Sequence, residues 1–219
     1  MSALNFQAVV FDLDNTLYDE AVYFEAVLVR FLSEIGREDV DVSGLVDIGE
    51  RLKARDYLGD LLKKLSLYSE DMQEKLFSLY CRLDQRIRLD NSVVSGLARL
   101  KAMSLRLGVV TNGVVTAQKS KVLCLSLAEH VDHITYAREL GKACEKPHPV
   151  PFKDICEKIA CEANQVLFVG DHPVNDIMGA KYAGMQTAWL ANPYFSKPVQ
   201  ADFVANSIDE LVGKIANET

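Results

Sequence analysis

Five short apolar runs constrain the fold of this chain most strongly. They are residues 8–11, 107–110, 134–137, 166–169 and 187–190. Short runs dense in Val, Leu and Ile are typical of buried strands. Segments with helical periodicity lie between them, around residues 94–100, 117–127, 152–159 and 176–183. The alternation predicts an α/β fold: a Rossmann-like three-layer core in which a mainly parallel sheet lies between helices.

The region from about residue 20 to 87 interrupts this alternation, because its apolar residues recur only at helical spacing. Three apolar stripes are separated by Gly36, by Ser43-Gly44 and by residues 66–69, and Ser69 is expected to cap the third helix. We predict an all-helical cap domain over residues 16–88, inserted into a catalytic core formed by 1–15 and 89–219. This division leaves a core close to the size of one domain, about 150 residues.

Composition and charge exclude several classes of protein. The 219 residues are 49% hydrophobic and 25% charged, as expected for a globular protein. A net charge of −7 argues against a protein that binds a nucleic-acid polymer through a basic surface. No apolar stretch approaches the roughly 20 residues of a membrane helix, and the N-terminus lacks the features of a signal peptide, so we expect a cytoplasmic protein without membrane contacts. Five cysteines without a CxxC pair indicate reduced, mostly buried thiols.

Polar residues are concentrated at four places where strands or their following loops should end. These segments are residues 12–16, 111–113, 145–147 and 170–176. In open α/β sheets, ligands bind at the carboxyl ends of the strands, so these segments are expected to meet there. Together they supply carboxylates, a hydroxyl, backbone N–H donors and one ammonium. Clustered carboxylates repel one another unless a cation lies among them, and an all-oxygen set suits Mg²⁺. That metal in turn suits a phosphate substrate.

Asp12 and Asp14 form the most informative pair in these segments. Residues two apart in an extended chain point to the same side, so both carboxylates should face the site. One carboxylate can attack phosphorus while the other protonates the leaving oxygen and later takes a proton from water. The metal and Lys146 would neutralise the phosphoryl oxygens. The remaining phosphate-binding groups would be the Thr111 hydroxyl and the backbone N–H groups of Asn112 and Gly113.

Four sequence segments carry a resemblance to a known family. They are FDLDNTLYD, VVTNG, EKPHPVPF and VGDHPVNDIMGAKYAGM. In this order they resemble the four motifs of the haloacid dehalogenase-like hydrolase superfamily, and the helical insertion resembles its C1-type cap. The chain is most similar to the phosphatase branch, because TNGVVTAQKSKVL and GDHPVNDIMGAKYAG look like segments of acyl-neuraminate-phosphate and nucleotide phosphatases. Haloacid dehalogenases themselves lack the second aspartate of the first motif.

The resemblance implies a role for each aspartate. Asp12 would be the nucleophile that forms an aspartyl-phosphate, and Asp14 the general acid/base. Mg²⁺ would be bound by the side chains of Asp12 and Asp171 and by the backbone carbonyl of Asp14. Asp176 would support the water ligands of the metal or Lys146.

The resemblance also implies that Thr111 and Lys146 contact the phosphoryl group. The chain departs from the family pattern before this lysine, since the loop 142–145 is longer than usual and His148 follows Pro147 where Asp is common. Lys146 is our choice because the residues after it keep the family register. Lys142 is the alternative, and Glu145 is expected to be a solvated neighbour.

Other residues have two open interpretations. His172 either contacts substrate or stabilises its loop as a neutral imidazole. His130 and His133 are interpreted as structural, Gly179 as a site of close helix packing and Gly184 as a helix C-cap. Six residues of the cap region could select the leaving group, although each also fits an ordinary packing or surface role: Tyr18, Tyr23, Arg51, Arg55, Arg82 and Arg86.

The function expected from these observations is hydrolysis of a small phosphorylated metabolite, such as a sugar phosphate or nucleotide, by a Mg²⁺-dependent phosphatase. Two alternatives stay open: a phosphomutase of the same fold, and a protein that binds a phosphorylated metabolite without turning it over. Specificity in such architectures lies in cap loops that carry no readable motif, so the sequence fixes neither the substrate nor the oligomeric state.

Overall fold

A single parallel sheet forms the centre of the molecule. The computed structural model describes residues 6–195 and 200–218. The strands are β1 Ala8–Phe11, β2 Arg106–Thr111, β3 His133–Tyr136, β4 Val166–Gly170, β5 Gln186–Leu190 and β6 Phe203–Ala205, arranged in the order β3-β2-β1-β4-β5-β6. All five strand pairings are parallel. The predicted α/β class and the five predicted strands are confirmed, with ends that differ by at most one residue.

The sheet order places a crevice beside β1. Strand β1 pairs with β2 on one side and with β4 on the other, so that Phe11 is level with both Val109 and Val169. The chain therefore progresses outward in opposite directions from β1, which is the switch point where α/β sheets bind ligands. Because the strands are parallel and in register, their polar C-terminal residues meet at one edge.

Nine α-helices cover the sheet within the described residues. They are α1 Glu20–Glu34, α2 Ile48–Arg51, α3 Tyr57–Lys64, α4 Glu70–Arg82, α5 Asn91–Ala102, α6 Val115–Cys124, α7 Pro149–Lys158, α8 Gly179–Tyr182 and α9 Ile208–Glu218. Local capping fixes several of the starts. Asp19, Asp47 and Asp56 accept backbone N–H groups at the starts of α1, α2 and α3, and Ser69 caps α4 as predicted.

In the sequence, helices α1–α4 come between β1 and α5. Their apolar side chains pack in the same cluster as one face of the sheet. Phe31 and Leu62, from α1 and α3, are buried in the same apolar cluster as Leu107 of β2. The opposite face is covered by α7 and α8, where Phe152 meets Phe168 with ring centroids 5.0 Å apart. The sheet is therefore buried on both faces, which is why its strands are continuous apolar runs rather than alternating ones.

Four elements differ from the sequence-based prediction. Helix α2 and strand β6 were not predicted, since elements of four and three residues give almost no periodic signal. Helix α9 was not predicted either, although Ile208, Leu211 and Val212 recur at helical spacing and are buried. The predicted helix 176–183 is divided: residues Pro173–Met178 form a π-helical turn and α8 follows it. The glycine predictions are confirmed, because a Cβ on Gly179 would lie 2.9 Å from the Phe152 ring and Gly184 follows α8 with φ +86°.

The cysteines are unpaired, as predicted. Cys81, Cys124 and Cys156 are buried, and the other two are partly buried. Across residues 6–195 and 200–218, no helix has the length and apolar character needed to cross a membrane.

Candidate active site

A buried lysine connects two of the predicted site aspartates. The Nζ atom of Lys146 donates to Asp12 Oδ1 at 2.5 Å and to Asp176 Oδ1 at 2.7 Å. The side chains of Lys146 and Asp176 are each 2% exposed, and that of Asp12 is 11% exposed. Asp12 follows β1, whereas Lys146 precedes α7 and Asp176 lies in the π-helical turn. Three separate parts of the chain therefore meet at the edge of the sheet.

Asp171 completes a group of three carboxylates. Its Oδ2 accepts from Asn192 Nδ2 at 2.8 Å, and its backbone carbonyl accepts from Trp189 Nε1 at 2.7 Å, which fixes the turn after β4. Carboxylate oxygens of Asp12, Asp171 and Asp176 all lie within 4.8 Å of one another. The donor set consists of oxygen alone, as hard divalent cations such as Mg²⁺ prefer.

The electrostatics of this cluster indicate a shortage of positive charge. Burial raises the pKa of Asp171 to about 9, with further contributions from Asp176 and Asp12. Burial also raises the pKa of Asp12 to about 7, although the Lys146 ammonium acts in the opposite direction. One ammonium thus does not offset three carboxylates held so close together. A divalent cation among them would stabilise their ionised forms, so the residues present fit such an ion.

The Asp14 carboxylate is held by a different set of groups. Its Oδ1 accepts from Tyr18 Oη at 2.7 Å and from Lys121 Nζ at 2.8 Å, and its Oδ2 accepts from Gln118 Nε2 at 3.1 Å. Burial would raise the pKa of Asp14, but the Lys121 ammonium and these hydrogen bonds outweigh burial and lower it. Asp12 and Asp14 therefore face distinct lysines, although they are separated by a single residue.

Lys121 belongs to a buried ionic network. Its side chain has no exposed surface, and its Nζ also lies 2.9 Å from Glu20 Oε1. Glu20 in turn lies 3.8 Å from a guanidinium nitrogen of Arg51 in α2. Burial acts to lower the pKa of Lys121, but Asp14 and Glu20 overcome it and hold that pKa well above its usual value. The network ties α6 to the start of α1 and the end of α2.

The loop after β2 is braced against the loop that carries Lys146. Thr111 is buried, and Asn112 makes two hydrogen bonds with the backbone of Lys146, at 2.8 and 2.9 Å. The backbone N–H of Gly113 donates to Glu145 Oε1 at 2.6 Å. Glu145 is therefore not the solvated neighbour that we expected, because it also pairs with Arg138 at 2.9 Å. Any phosphate contact through Gly113 requires Glu145 to release this N–H.

The turn after β4 depends on a close approach of its backbone. A Cβ on Gly170 would lie 2.5 Å from the Asp176 side chain, so only glycine lets Asp176 reach Lys146. The N–H of His172 donates to Asp176 Oδ2 at 2.9 Å, and the ring accepts backbone N–H groups from Val174 and Asn175 through Nδ1. Of the two interpretations of His172, the structure therefore supports loop stabilisation directly.

A cavity of about 110 Å³ opens onto these groups. Its lining consists of Asp12, Asp14, Asn15, Glu20, Leu52, Thr111, Asn112, Lys146, Asp171, His172, Asn175 and Asp176. All but Gly113 of the eight residues selected from the sequence thus border one space. A larger cavity of about 540 Å³ lies along α7 and is lined by none of the eight.

The remaining candidates are distributed between the site, the core and the surface. Tyr18 contacts Asp14, and Arg51 contacts Glu20, whereas Tyr23 is buried in the core. The other cap arginines and the alternative lysine are exposed: Arg55, Arg82, Arg86 and Lys142. His133 is exposed and His130 partly buried.

Sequence reasoning missed three groups of the site: Glu20, Gln118 and Lys121. The last two lie three residues apart on α6, directly after the second motif, so they share one helix face. That spacing was the available signal. The apolar periodicity of the segment 117–127 and its resemblance to phosphatases assign no role to these two side chains.

Comparisons with known proteins identify the family. The sequence profile described as haloacid dehalogenase-like hydrolase matches residues 9–190. The chain belongs to this family, which confirms the resemblance noted in its motifs.

Two curated relatives match over nearly their whole length. The chain is 26% identical to a glyceraldehyde 3-phosphate phosphatase of Methanocaldococcus jannaschii, over 96% of this chain and 97% of the relative. It is 28% identical to a phosphoglycolate phosphatase of Aquifex aeolicus, again over 96% and 97%. Among solved structures, a 2-haloacid dehalogenase from Pseudomonas syringae is similar with a TM-score of 0.65 and 27% identity, covering 98% of this chain and 100% of that one. The HAD-hydrolase YfnB from Bacillus subtilis reaches a TM-score of 0.73 at 20% identity, covering 96% and 99%.

Proposed function

We propose that this protein is a phosphatase that hydrolyses a small phosphorylated metabolite through a phosphorylated Asp12. A divalent cation would be bound at Asp12 and Asp171, and their oxygen-only donor set suits Mg²⁺. The observation that carries the proposal is the separation of Asp12 and Asp14 between two lysines at one cavity. Phosphatase relatives of nearly equal length agree with this reaction class.

In the first half of the reaction, an oxygen of Asp12 attacks phosphorus and the ester P–O bond breaks. Lys146 holds that carboxylate at 2.5 Å and limits its orientation. Thr111 and the backbone of Asn112 lie at the same cavity and would hold the phosphoryl oxygens. A bound divalent cation supplies further neutralisation of the charge on those oxygens.

Asp14 acts as the general acid in the first half of the reaction and as the general base in the second. The leaving oxygen takes a proton from Asp14, and in the second half Asp14 accepts a proton from the water that attacks the phosphorylated Asp12. Hydrolysis then releases phosphate and restores both carboxyl groups. The ionised form that Lys121 favours suits the base role. The acid role requires the pKa of Asp14 to rise when an anionic phosphate binds beside it.

Helices α1–α4 are proposed to act as the cap, over residues 16–88. Glu20 and Leu52 from this region reach the cavity that contains Asp12. A cap in this position can exclude water from the phosphorylated intermediate and contact the leaving group.

The test is phosphate release from an aryl phosphate in the presence of Mg²⁺. We expect turnover by the wild-type protein and none by Asp12→Asn, with Asp39→Asn as a control because Asp39 is exposed and pairs only with Arg37 among the described ion pairs. Retained turnover in Asp12→Asn would refute the nucleophile assignment. Formation of an isomeric phosphate would indicate a mutase, and binding of phosphorylated ligands without turnover would indicate a binding protein.

A further inference from the structure

The charges lining the cavity restrict what can be attached to the phosphate. Lys146 is the only lysine or arginine among the described residues that border it. Its ammonium is already paired with Asp12 and Asp176. Among the described residues that line the cavity, no unpaired lysine or arginine is therefore available to bind a second anionic group of a substrate.

Glu20 adds a carboxylate to the lining but no cation that a substrate anion could contact. This glutamate is the first residue of α1 and borders the cavity with its side chain 5% exposed. The two cations that it contacts, Lys121 and Arg51, are not part of the lining. Lys121 is fully buried between Glu20 and Asp14, and the Arg51 guanidinium lies over the Phe24 ring, 5.8 Å from its centroid.

The uncharged part of the lining offers hydrogen bonds and one apolar side chain. Asn15 and Asn175 contribute amides, and the His172 ring accepts backbone N–H groups through Nδ1, as a neutral imidazole does. Leu52, which follows α2, contributes an apolar side chain that is 40% exposed. Such a lining matches hydroxyl and carbonyl groups better than a carboxylate, which would lose water without gaining a cation.

We propose that the substrate is a phosphate monoester whose leaving group bears hydroxyl or carbonyl groups but no charge. This inference rests on the proposed phosphatase function and deepens it. The inference distinguishes phosphate esters that carry an aldehyde from those that carry a carboxylate at the same carbon.

The experiment compares glyceraldehyde 3-phosphate with 3-phosphoglycerate, which have the same carbon number and differ by an aldehyde against a carboxylate. We expect kcat/KM, measured by release of inorganic phosphate with Mg²⁺, to be at least about tenfold higher for the aldehyde. Leu52→Lys adds a cation at the cavity and should raise kcat/KM for 3-phosphoglycerate at least about threefold. Leu123→Lys is the matched control, because Leu123 lies on α6, is 75% exposed and does not border this cavity.

The outcomes distinguish a failure of this inference from a failure of the proposed function. Equal or faster turnover of 3-phosphoglycerate by the wild type overturns the inference, as does a Leu52→Lys variant with an unchanged ratio of the two kcat/KM values. Loss of 3-phosphoglycerate turnover alone in Arg51→Gln also overturns it, because Arg51 would then be a carboxylate-binding residue. If none of these esters nor an aryl phosphate releases phosphate, the proposed function itself fails.

Discussion

Replacing Lys121 by methionine tests the electrostatic design of the site most directly. The side chain has no exposed surface, and its Nζ lies 2.8 Å from Asp14 and 2.9 Å from Glu20. Methionine keeps much of the aliphatic volume but leaves two buried carboxylates without their ammonium. Removing one partner of a buried ion pair costs about 3–5 kcal/mol of the free energy of unfolding. Since a typical domain has only about 5–15 kcal/mol, we expect a severely destabilised but measurable protein.

Urea denaturation followed by circular dichroism measures this loss. Lys119→Met is the matched control on the same helix, because Lys119 is 55% exposed and pairs with Glu139 at the surface. Exposed pairs contribute about 0–1 kcal/mol, so the control should unfold near the wild-type midpoint.

A second variant separates charge from packing. Adding Glu20→Gln to Lys121→Met removes one of the stranded carboxylates, so the double variant should recover part of the lost stability. A loss below about 1 kcal/mol in Lys121→Met, or no recovery in the double variant, would refute the view that Lys121 compensates buried negative charge.

Two further predictions concern the carboxylate cluster. Burial and mutual repulsion raise the folded-state pKa of Asp12 from 3.8 to about 7 and that of Asp171 from 3.8 to about 9, so ionisation at these sites opposes folding. Chelator-treated protein should therefore lose stability as pH rises from about 4 towards 9, and Mg²⁺ should raise Tm more at pH 8 than at pH 5 in thermal melts; an equal rise at both values would contradict this. Gly170→Ala places a Cβ 2.5 Å from the Asp176 side chain and should displace it from Lys146. We expect kcat to fall about 100-fold in steady-state phosphate release while the protein stays folded, and an unchanged kcat would show that the position of Asp176 is unimportant.

The sequence by itself determined the layered α/β class and indicated most of the residues that border the cavity at Asp12. Short apolar runs that end in polar residues are local signals, and parallel strands must bring their carboxyl ends to one edge. Asp12, Asp171 and Asp176 could be selected because they follow two of these strands, whereas Lys146 was selected by its resemblance to a family motif. Their burial and mutual distances were not available from the pattern.

Only the tertiary structure decided which charges pair. Asp14 meets Lys121 across 107 residues of sequence, and Gly113 meets Glu145 across 32. Neither pairing leaves a periodic trace, because each depends on the direction of one side chain after the helices have packed on the sheet. The charges beside the cavity are paired in the same way. The Lys121 ammonium lies 2.9 Å from Glu20, which borders the cavity, only because the fold brings α1 and α6 together.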